Sequence, residues 1–340
     1  MSSPGPSRLR IGILGAANIA RLFVAGVRPS LKVAVTAIAS RDGERARKFA
    51  AETGIAQTYS TYEALLADPE IDAIYNPLPN NLHAEWSIRA ANAGKHVLCE
   101  KPLATSATEA RAMFEAAARN GVQLAEAYPY RAQPQTLKLR ELLKENAVGR
   151  LQLIQASFGF PLTDASNIRL NPALAGGALM DAGCYPVSLV RTIAGERPKR
   201  VHAMARWDAS GVDRTLVASM EFSSGLLAQV SCSFATARHR HAFVAGDSGV
   251  IRTTYFNDTS AALPPVIEIR RGPGLDAKQE SIETAATNGF LAEAEAFHDL
   301  VIQGRDHWQG ASEEESIDIA LTLEALAASA RRGVPIDVAN

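Results

Sequence analysis

The chain has 340 residues, 47% of them hydrophobic and 21% charged, the balance of an ordinary globular protein that, at this length, divides into two domains. A formal net charge of −1 leaves no basic excess for nucleic acid or an anionic membrane surface. No apolar run reaches the roughly 20 residues that cross a bilayer.

The first eight residues, MSSPGPSR, lack the apolar stretch of a signal peptide and read as a frayed terminus. Residues 9–127 then alternate short apolar runs with amphipathic stretches. The runs Arg10–Leu14, Val33–Ala39, Ile71–Tyr75, His96–Cys99 and Val122–Ala125 are nearly continuous in apolar residues, as strands buried on both faces are. Between them, Ser60 with Glu63 and Ser106 with Glu109 fit capping boxes, and Gly54, Gly94 and Gly121 sit where a left-handed residue ends a helix. The repeated strand–helix order predicts an α/β domain with a parallel, doubly wound sheet of Rossmann type.

The first strand runs into a turn where Gly15 takes the tight-turn position of G-x-G-x-x-G/A, Ala17 replaces the second glycine and Ala20 the third. The turn Gly15-Ala16-Ala17-Asn18-Ile19 is thus the expected cradle for a pyrophosphate at a helix N-terminus. Small residues also make ordinary strand–helix turns, so the assignment leans on the strands that follow. The second strand ends in Ser40-Arg41-Asp42 and not in the acidic residue that binds the ribose of NAD. A hydroxyl and a guanidinium there suit a 2′-phosphate and predict NADP. The alternative is a solvated Arg41 beside an Asp42 N-cap. The fourth run ends in Glu100-Lys101-Pro102, at the strand edge where ligands of such sheets bind. Taken alone, Lys101 is an ordinary exposed lysine.

The pattern changes after Tyr128. A helix is expected over Thr136–Asn146, followed by longer alternating segments at Leu151–Phe160, Val201–Trp207, Thr215–Phe222, Leu226–Phe234 and Val250–Tyr255. They predict a mostly antiparallel open sheet with one face covered. Two helices, Phe290–Gln303 and Glu313–Arg331, close the chain. Residues 128–340 are accordingly expected to form a second, α+β domain for substrate binding and oligomerisation. His239 and His241 alternate on a strand as surface residues. Cys99, Cys184 and Cys232 lack the spacing of a zinc site and read as free, mostly buried thiols of a reducing cytoplasm. Nothing points to a metal.

Four motifs in order now carry a resemblance: the glycine turn, Pro79-Asn80-Asn81-Leu82-His83, Glu100-Lys101-Pro102, and Gly176-Gly177-Ala178-Leu179-Met180-Asp181-Ala182-Gly183-Cys184-Tyr185. Together they resemble the Gfo/Idh/MocA oxidoreductases over nearly the whole chain. Tyr185, where inositol-type members carry His, is similar to the branch of glucose–fructose oxidoreductase, dimeric dihydrodiol dehydrogenase and NADP-dependent xylose dehydrogenase. The resemblance implies that Lys101, Asp181 and Tyr185 are the catalytic set. The nicotinamide is expected at the strand ends near Pro77, Leu78 and Pro79, where prolines stiffen the loop, with Asn80, Glu100 and Lys101 also at the cofactor and His83, at the P-N-x-x-H position, holding the cofactor loop. Arg131, in Tyr128-Pro129-Tyr130-Arg131, is expected at the cofactor or substrate hydroxyls, or else at a plain domain hinge.

The expected reaction is hydride transfer between NADP and a carbinol or carbonyl carbon of a sugar, polyol or related small molecule. Tyr185 is the candidate acid/base, with its phenol pKa lowered by Lys101. Lys101 is expected to stabilise alkoxide character, or to carry the proton itself. Asp181 is expected to orient Lys101 or the substrate. Four-residue spacing puts Asp181 and Tyr185 on one face if the segment is helical. A cofactor-binding sensor without turnover, or a glycosidase using tightly held NAD, are the competing readings. Leu227, Val230, Ser231 and Phe234 are expected to bury an open sheet face in a homodimer or larger oligomer.

Overall fold

The computed structural model describes residues 8–260, 264–274 and 276–338. Of the first eight residues, read as a frayed terminus, only Arg8 falls within that range. The chain begins with β1 (Leu9–Leu14), α1 (Asn18–Val27), β2 (Val33–Ala39), α2 (Gly43–Thr53), β3 (Gln57–Tyr59) and α3 (Tyr62–Leu66). It continues through β4 (Ala73–Asn76), α4 (His83–Asn92), β5 (His96–Glu100), α5 (Ala107–Arg119) and β6 (Leu124–Ala127). These strands form one parallel sheet in the order β3-β2-β1-β4-β5-β6. The order reverses between β1 and β4, which opens a crevice at the strand C-termini where dinucleotides bind. The apolar runs became strands because both faces are covered; β4 and β6 are buried throughout. β3 escaped the sequence reading because it is a short, largely exposed edge strand with no apolar run. The cap of α3 is Thr61, not Ser60; Ser106 caps α5 as expected, but the box is not closed, because the Glu109 carboxylate accepts from the Thr105 amide and hydroxyl.

After α6 (Pro134–Lys144) comes a larger sheet. Its strands are β7 (Leu151–Gly159), β8 (Arg200–Trp207), β9 (Asp213–Glu221), β10 (Leu227–Ser233), β11 (His239–Gly246), β12 (Gly249–Thr254), β13 (Val266–Arg271), β14 (Lys278–Glu283) and β15 (Ile336–Asp337). α7 (Cys184–Ala194) precedes β8, and α8 (Gly289–Gln303) and α9 (Glu313–Arg332) follow β14. The order is β14-β13-β12-β11-β7-β10-β9-β8-β15, antiparallel except for the central β7–β10 pair. α7 and α9 cover its inner face.

Three expectations need correction. Val230 of β10 and Phe234 just after it point into the core at 4% and 0% exposure, because the two-residue repeat turns Leu227, Gln229 and Ser231 to the outer face. Helical stretch Pro172–Ala194 is long and apolar enough to cross a bilayer, although 67% of its most apolar window is buried inside the fold, as a core helix would be. The C-terminal helix α8 does not stay with the second sheet. Phe290, Ala294, Phe297 and Leu300 share a core with Ile11, Phe23 and Tyr75 of the first, and α8 packs on α1.

Candidate active site

The glycine turn is open to an anion. Gly15 has a φ of +87°, and its backbone N–H donates to the Ala39 carbonyl at 2.7 Å. A side chain there would be strained and would press on Leu78 at 3.0 Å. α1 starts after Ala17 with no side-chain cap and no acidic residue in its first turn. The orphan amides around Asn18 and Ile19 therefore have no internal partner competing with a phosphate. Ala16 and Ala17 are half-buried at the mouth of the crevice.

Asp42 caps α2 by accepting from the Glu44 and Arg45 amides, as one reading of the sequence held. That role leaves Arg41 free to serve another. Arg41 is exposed and stands beside the Tyr62 hydroxyl, whose pKa burial raises and Arg41 partly restores. Tyr62 in turn lies 3.6 Å from where a Gly15 side chain would begin, so the guanidinium sits next to the phosphate turn. Ser40 is buried, with its hydroxyl accepting from the Asp42 amide at 3.3 Å.

The loop after β4 carries Pro77, Leu78 and Asn80. His83 is fully enclosed, its Nδ1 2.8 Å from the Pro102 carbonyl and its Nε2 2.7 Å from that of Leu78. Burial outweighs both carbonyls and holds the ring pKa at about 4; the neutral ring carries one N–H and so donates to one of the two carbonyls, while its packing lies between the β4 loop and the turn after β5. Asn80 donates to the Ala175 carbonyl at 2.9 Å, which fastens the same loop to the second sheet's connecting segment. Glu100 is buried with its carboxylate accepting from Tyr75 at 2.6 Å and from the Lys101 amide at 3.2 Å. It supports Lys101 from behind.

Lys101 and Asp181, 80 residues apart, meet. The Lys101 ammonium donates to the Asp181 carboxylate at 3.0 Å and to the Asp181 carbonyl at 2.9 Å. It lies 5.1 Å from the Tyr185 ring centroid. Burial works against the lysine charge, but Asp181 and Tyr185 outweigh it and raise the pKa above its ordinary value. Burial likewise opposes the Asp181 charge, and Lys101 followed by Arg169 overcomes it, lowering the carboxyl to about 2. At neutral pH the pair is an ammonium and a carboxylate. Tyr185 departs from expectation: burial raises its pKa, and Lys101 and Arg240 offset this only in part. The desolvation cost of a phenolate at 5% exposure exceeds the help of both nearby cations. Nor is the segment a plain α-helix, since a π-helical turn over Leu179–Gly183 leads into α7.

Several residues of the site carried no signal in the sequence. Arg169 binds the other Asp181 oxygen at 2.7 Å. The Asp213 carboxylate accepts from the Leu179 amide at 2.6 Å and thereby fixes the start of the π-helical turn. Gly177, at φ +120°, lies so close to Asp213 that no side chain fits. Asn257 donates to the Tyr185 hydroxyl at 2.9 Å, and Arg240 lies over the Tyr185 ring at 3.8 Å. Arg131 is not brought to this group. Its side chain, 2% exposed, pairs with Glu315 of α9 at 2.7 Å and donates to Ser188 at 3.2 Å, which makes it an internal brace.

Both halves of the chain resemble known proteins. Residues 9–128 match the oxidoreductase family with an NAD-binding Rossmann fold, and residues 136–252 match the GFO/IDH/MocA C-terminal domain. The chain belongs to the Gfo/Idh/MocA oxidoreductase family. Among this family's curated members, it is 37% identical over 336 residues to D-xylose 1-dehydrogenase (NADP(+)) 2 of Haloferax volcanii, covering 97% of this chain and 100% of the relative. It is 36% identical to trans-1,2-dihydrobenzene-1,2-diol dehydrogenase of Danio rerio, over 72% of this chain and 74% of that one. Among solved Gfo/Idh/MocA-like structures, KijD10, a 3-ketoreductase from Actinomadura kijaniata in complex with NADP and TDP-benzene, superposes with a TM-score of 0.86. The two are 30% identical, and the match covers 95% of this chain and 98% of that one.

Proposed function

We propose that the protein is an NADP-dependent oxidoreductase acting on the carbinol or carbonyl carbon of a sugar-type substrate. The observation that carries this reading is the meeting of Lys101, Asp181 and Tyr185 at the ligand-binding edge of the parallel sheet. The names of the relatives support the same cofactor and substrate class. The turn from Gly15 to Ile19 would hold the pyrophosphate, Ser40 and Arg41 the 2′-phosphate, and Pro77, Leu78 and the Lys101 backbone would border the nicotinamide. Bound there, the nicotinamide supplies or accepts the hydride.

The residues handle the oxygen and its proton. With Lys101 held as an ammonium by Asp181, it is a donor and a charge, not a base. It would bind the reacting oxygen and offset alkoxide character as that develops. Tyr185, a neutral phenol at rest, would give its proton to a carbonyl oxygen during reduction and become a phenolate; in the oxidation direction it must first lose that proton, and its phenolate would then take one from the substrate hydroxyl. Asp181 and Arg169 would keep the lysine aimed. A sensor without turnover has no use for so costly a buried charge array.

The test is NADPH formation or consumption with D-xylose, other aldoses, keto-sugars, polyols and trans-dihydrodiols. Saturable turnover with one of these supports the reading; tight NADP binding without turnover on any of them overturns it. The same proposal includes a homodimer through the outer face of the second sheet, where Met204, Val217 and Leu227 are 67%, 42% and 53% exposed. Light scattering that returns a monomer at micromolar concentration refutes this part. The three buried thiols fit a reducing, cytoplasmic setting.

A further inference from the structure

Arg240 of β11 is 4% exposed and has no acidic partner within hydrogen-bond reach among the described residues. Its guanidinium is boxed by aromatic rings, 3.8 Å from the Tyr185 centroid, 4.4 Å from Phe158, 5.0 Å from Tyr255 and 5.7 Å from Tyr130. Its Nε and Nη2 are left without hydrogen-bond partners. Burying a cation this way is costly unless it serves something. Its Nη1 donates to the Asn257 side-chain oxygen at 2.9 Å, and the Asn257 side-chain nitrogen donates to the Tyr185 hydroxyl at 2.9 Å.

The direction of this chain is forced. Arginine can only donate, so the amide oxygen of Asn257 must face it and the NH2 must face Tyr185. The phenolic oxygen is then an acceptor on that side, and its own proton points elsewhere. The Asn257 backbone is pinned as well: its carbonyl accepts from Gly289 at the start of α8, at 2.9 Å, and any Gly289 side chain would collide with it at 2.2 Å.

We propose that Arg240 and Asn257 are positioning residues that aim the Tyr185 proton into the cleft and sustain the phenolate once the proton has left. The proposal rests on the reading of Tyr185 as the proton carrier. The Asn257 N–H strengthens as the oxygen becomes anionic, and the guanidinium lies over the ring that shares the charge. Lys101 contributes from the opposite domain, Glu100 and Cys184 disfavour the anion, and the phenols of Tyr128 and Tyr130 pack against the ring at 5.4 and 6.1 Å between centroids.

The test needs no substrate. In protein labelled with 3-fluorotyrosine, whose phenols ionise at lower pH, the Tyr185 fluorine resonance is assigned by its loss in Tyr185→Phe and titrated. Asn257→Leu is expected to raise its apparent pKa by about one pH unit or more, and Arg240→Gln to do so more than Arg240→Lys. Asn257→Asp, which can accept from the phenol, is expected to raise it further. If D-xylose with NADP supports turnover, kcat in Asn257→Leu should fall by about 10-fold or more with KM within about threefold, and Asn257→Leu should cost nothing more in a Tyr185→Phe background. A Tyr185 titration unchanged in both Asn257 variants, each folded by circular dichroism, overturns the inference even if turnover is normal. Absence of turnover in the parent protein counts against the functional reading alone. Should Arg240→Gln fail to fold, the Asn257 variants decide.

Discussion

Glu126, at the end of β6, is the buried acid whose behaviour is most directly calculable. It is 1% exposed, its Oε1 accepts from the Leu103 amide at 2.9 Å, and its Oε2 has no partner. Ser316 stands near that second oxygen without closing a hydrogen bond to it. Burial pushes the carboxyl from 4.5 up to about 7, against the smaller pull of Ser316, the Leu103 amide, Tyr128 and Arg131. Because the folded value is the higher one, the contribution to stability is whole below about 4.5 and is lost as pH rises through about 7. At about 1.4 kcal/mol for each tenfold change, the loss amounts to about 3 kcal/mol. Glu126→Gln keeps the acceptor for Leu103 and can offer an N–H toward Ser316, yet has nothing to ionise. In urea unfolding at pH 4.5 and pH 8, the variant should gain about 3 kcal/mol on the parent between the two. In a thermal melt the gap should open by about 4 °C. A parent-to-variant difference that is the same at both pH values would refute the assignment of a raised, uncompensated carboxyl, and with it the account of how β6 holds the turn after Lys101.

Lys101→Met should lower turnover by at least about 100-fold while NADP affinity stays within about threefold, since the ammonium acts on the reacting oxygen; near-normal turnover in a steady-state assay would end its role. Arg41→Ala should weaken NADP by about 10- to 100-fold and leave NAD unchanged, as loss of a charge-assisted hydrogen bond of roughly 1.5–3 kcal/mol requires; fluorescence titration with both nucleotides reads this, and an unchanged NADP/NAD ratio refutes it. Asp181→Asn breaks a buried ion pair and should cost about 3–5 kcal/mol at pH 7. Because the Asp181 pKa is lowered to about 2, its contribution is whole above 3.8 and fades as pH falls, so the gap between parent and variant should narrow in urea unfolding at pH 3.

Much of the fold was legible because its determinants are local. The apolar runs of β1, β2 and β5 need only be read along the chain, and Ser106 and Asp42 announce helix starts through their own side chains. Where neighbours in sequence compete, the reading slipped by a residue, as with Thr61 for Ser60. In the site, the motif residues could be named, but their partners could not. Arg131 finds Glu315 across 184 residues, and Asn257 reaches Tyr185 across 72; neither spacing has a periodicity to betray it. Arg131 in particular looked like a cleft residue because it follows two tyrosines at the domain junction, yet the junction is where α9 returns to pack. The direction of the Tyr185 pKa shift is hidden from the sequence for a related reason. The nearby lysine was foreseeable, while the depth of burial that outweighs it is a property of the assembled rings.

The division of labour between Lys101 and Tyr185 follows from where their charges are balanced. Lys101 comes from the end of β5, and the carboxylate that neutralises it comes from the segment before α7, so the pair exists only when the two sheets face each other. An ammonium balanced in this way holds its proton through the cycle and can be used only as a fixed positive pole. Tyr185 has no carboxylate within hydrogen-bond reach among the described residues; its hydroxyl receives an N–H, and two cations, Lys101 and Arg240, lie 5.1 and 3.8 Å from its ring centroid. Such a phenol is neutral at rest and is stabilised once it loses its proton, the behaviour an acid needs when hydride reaches the carbon. If Lys101 were instead the proton carrier, Asp181 would work against it at every turnover, because each departing proton would leave the buried carboxylate with Arg169 as its one remaining ion-pair partner among the described residues.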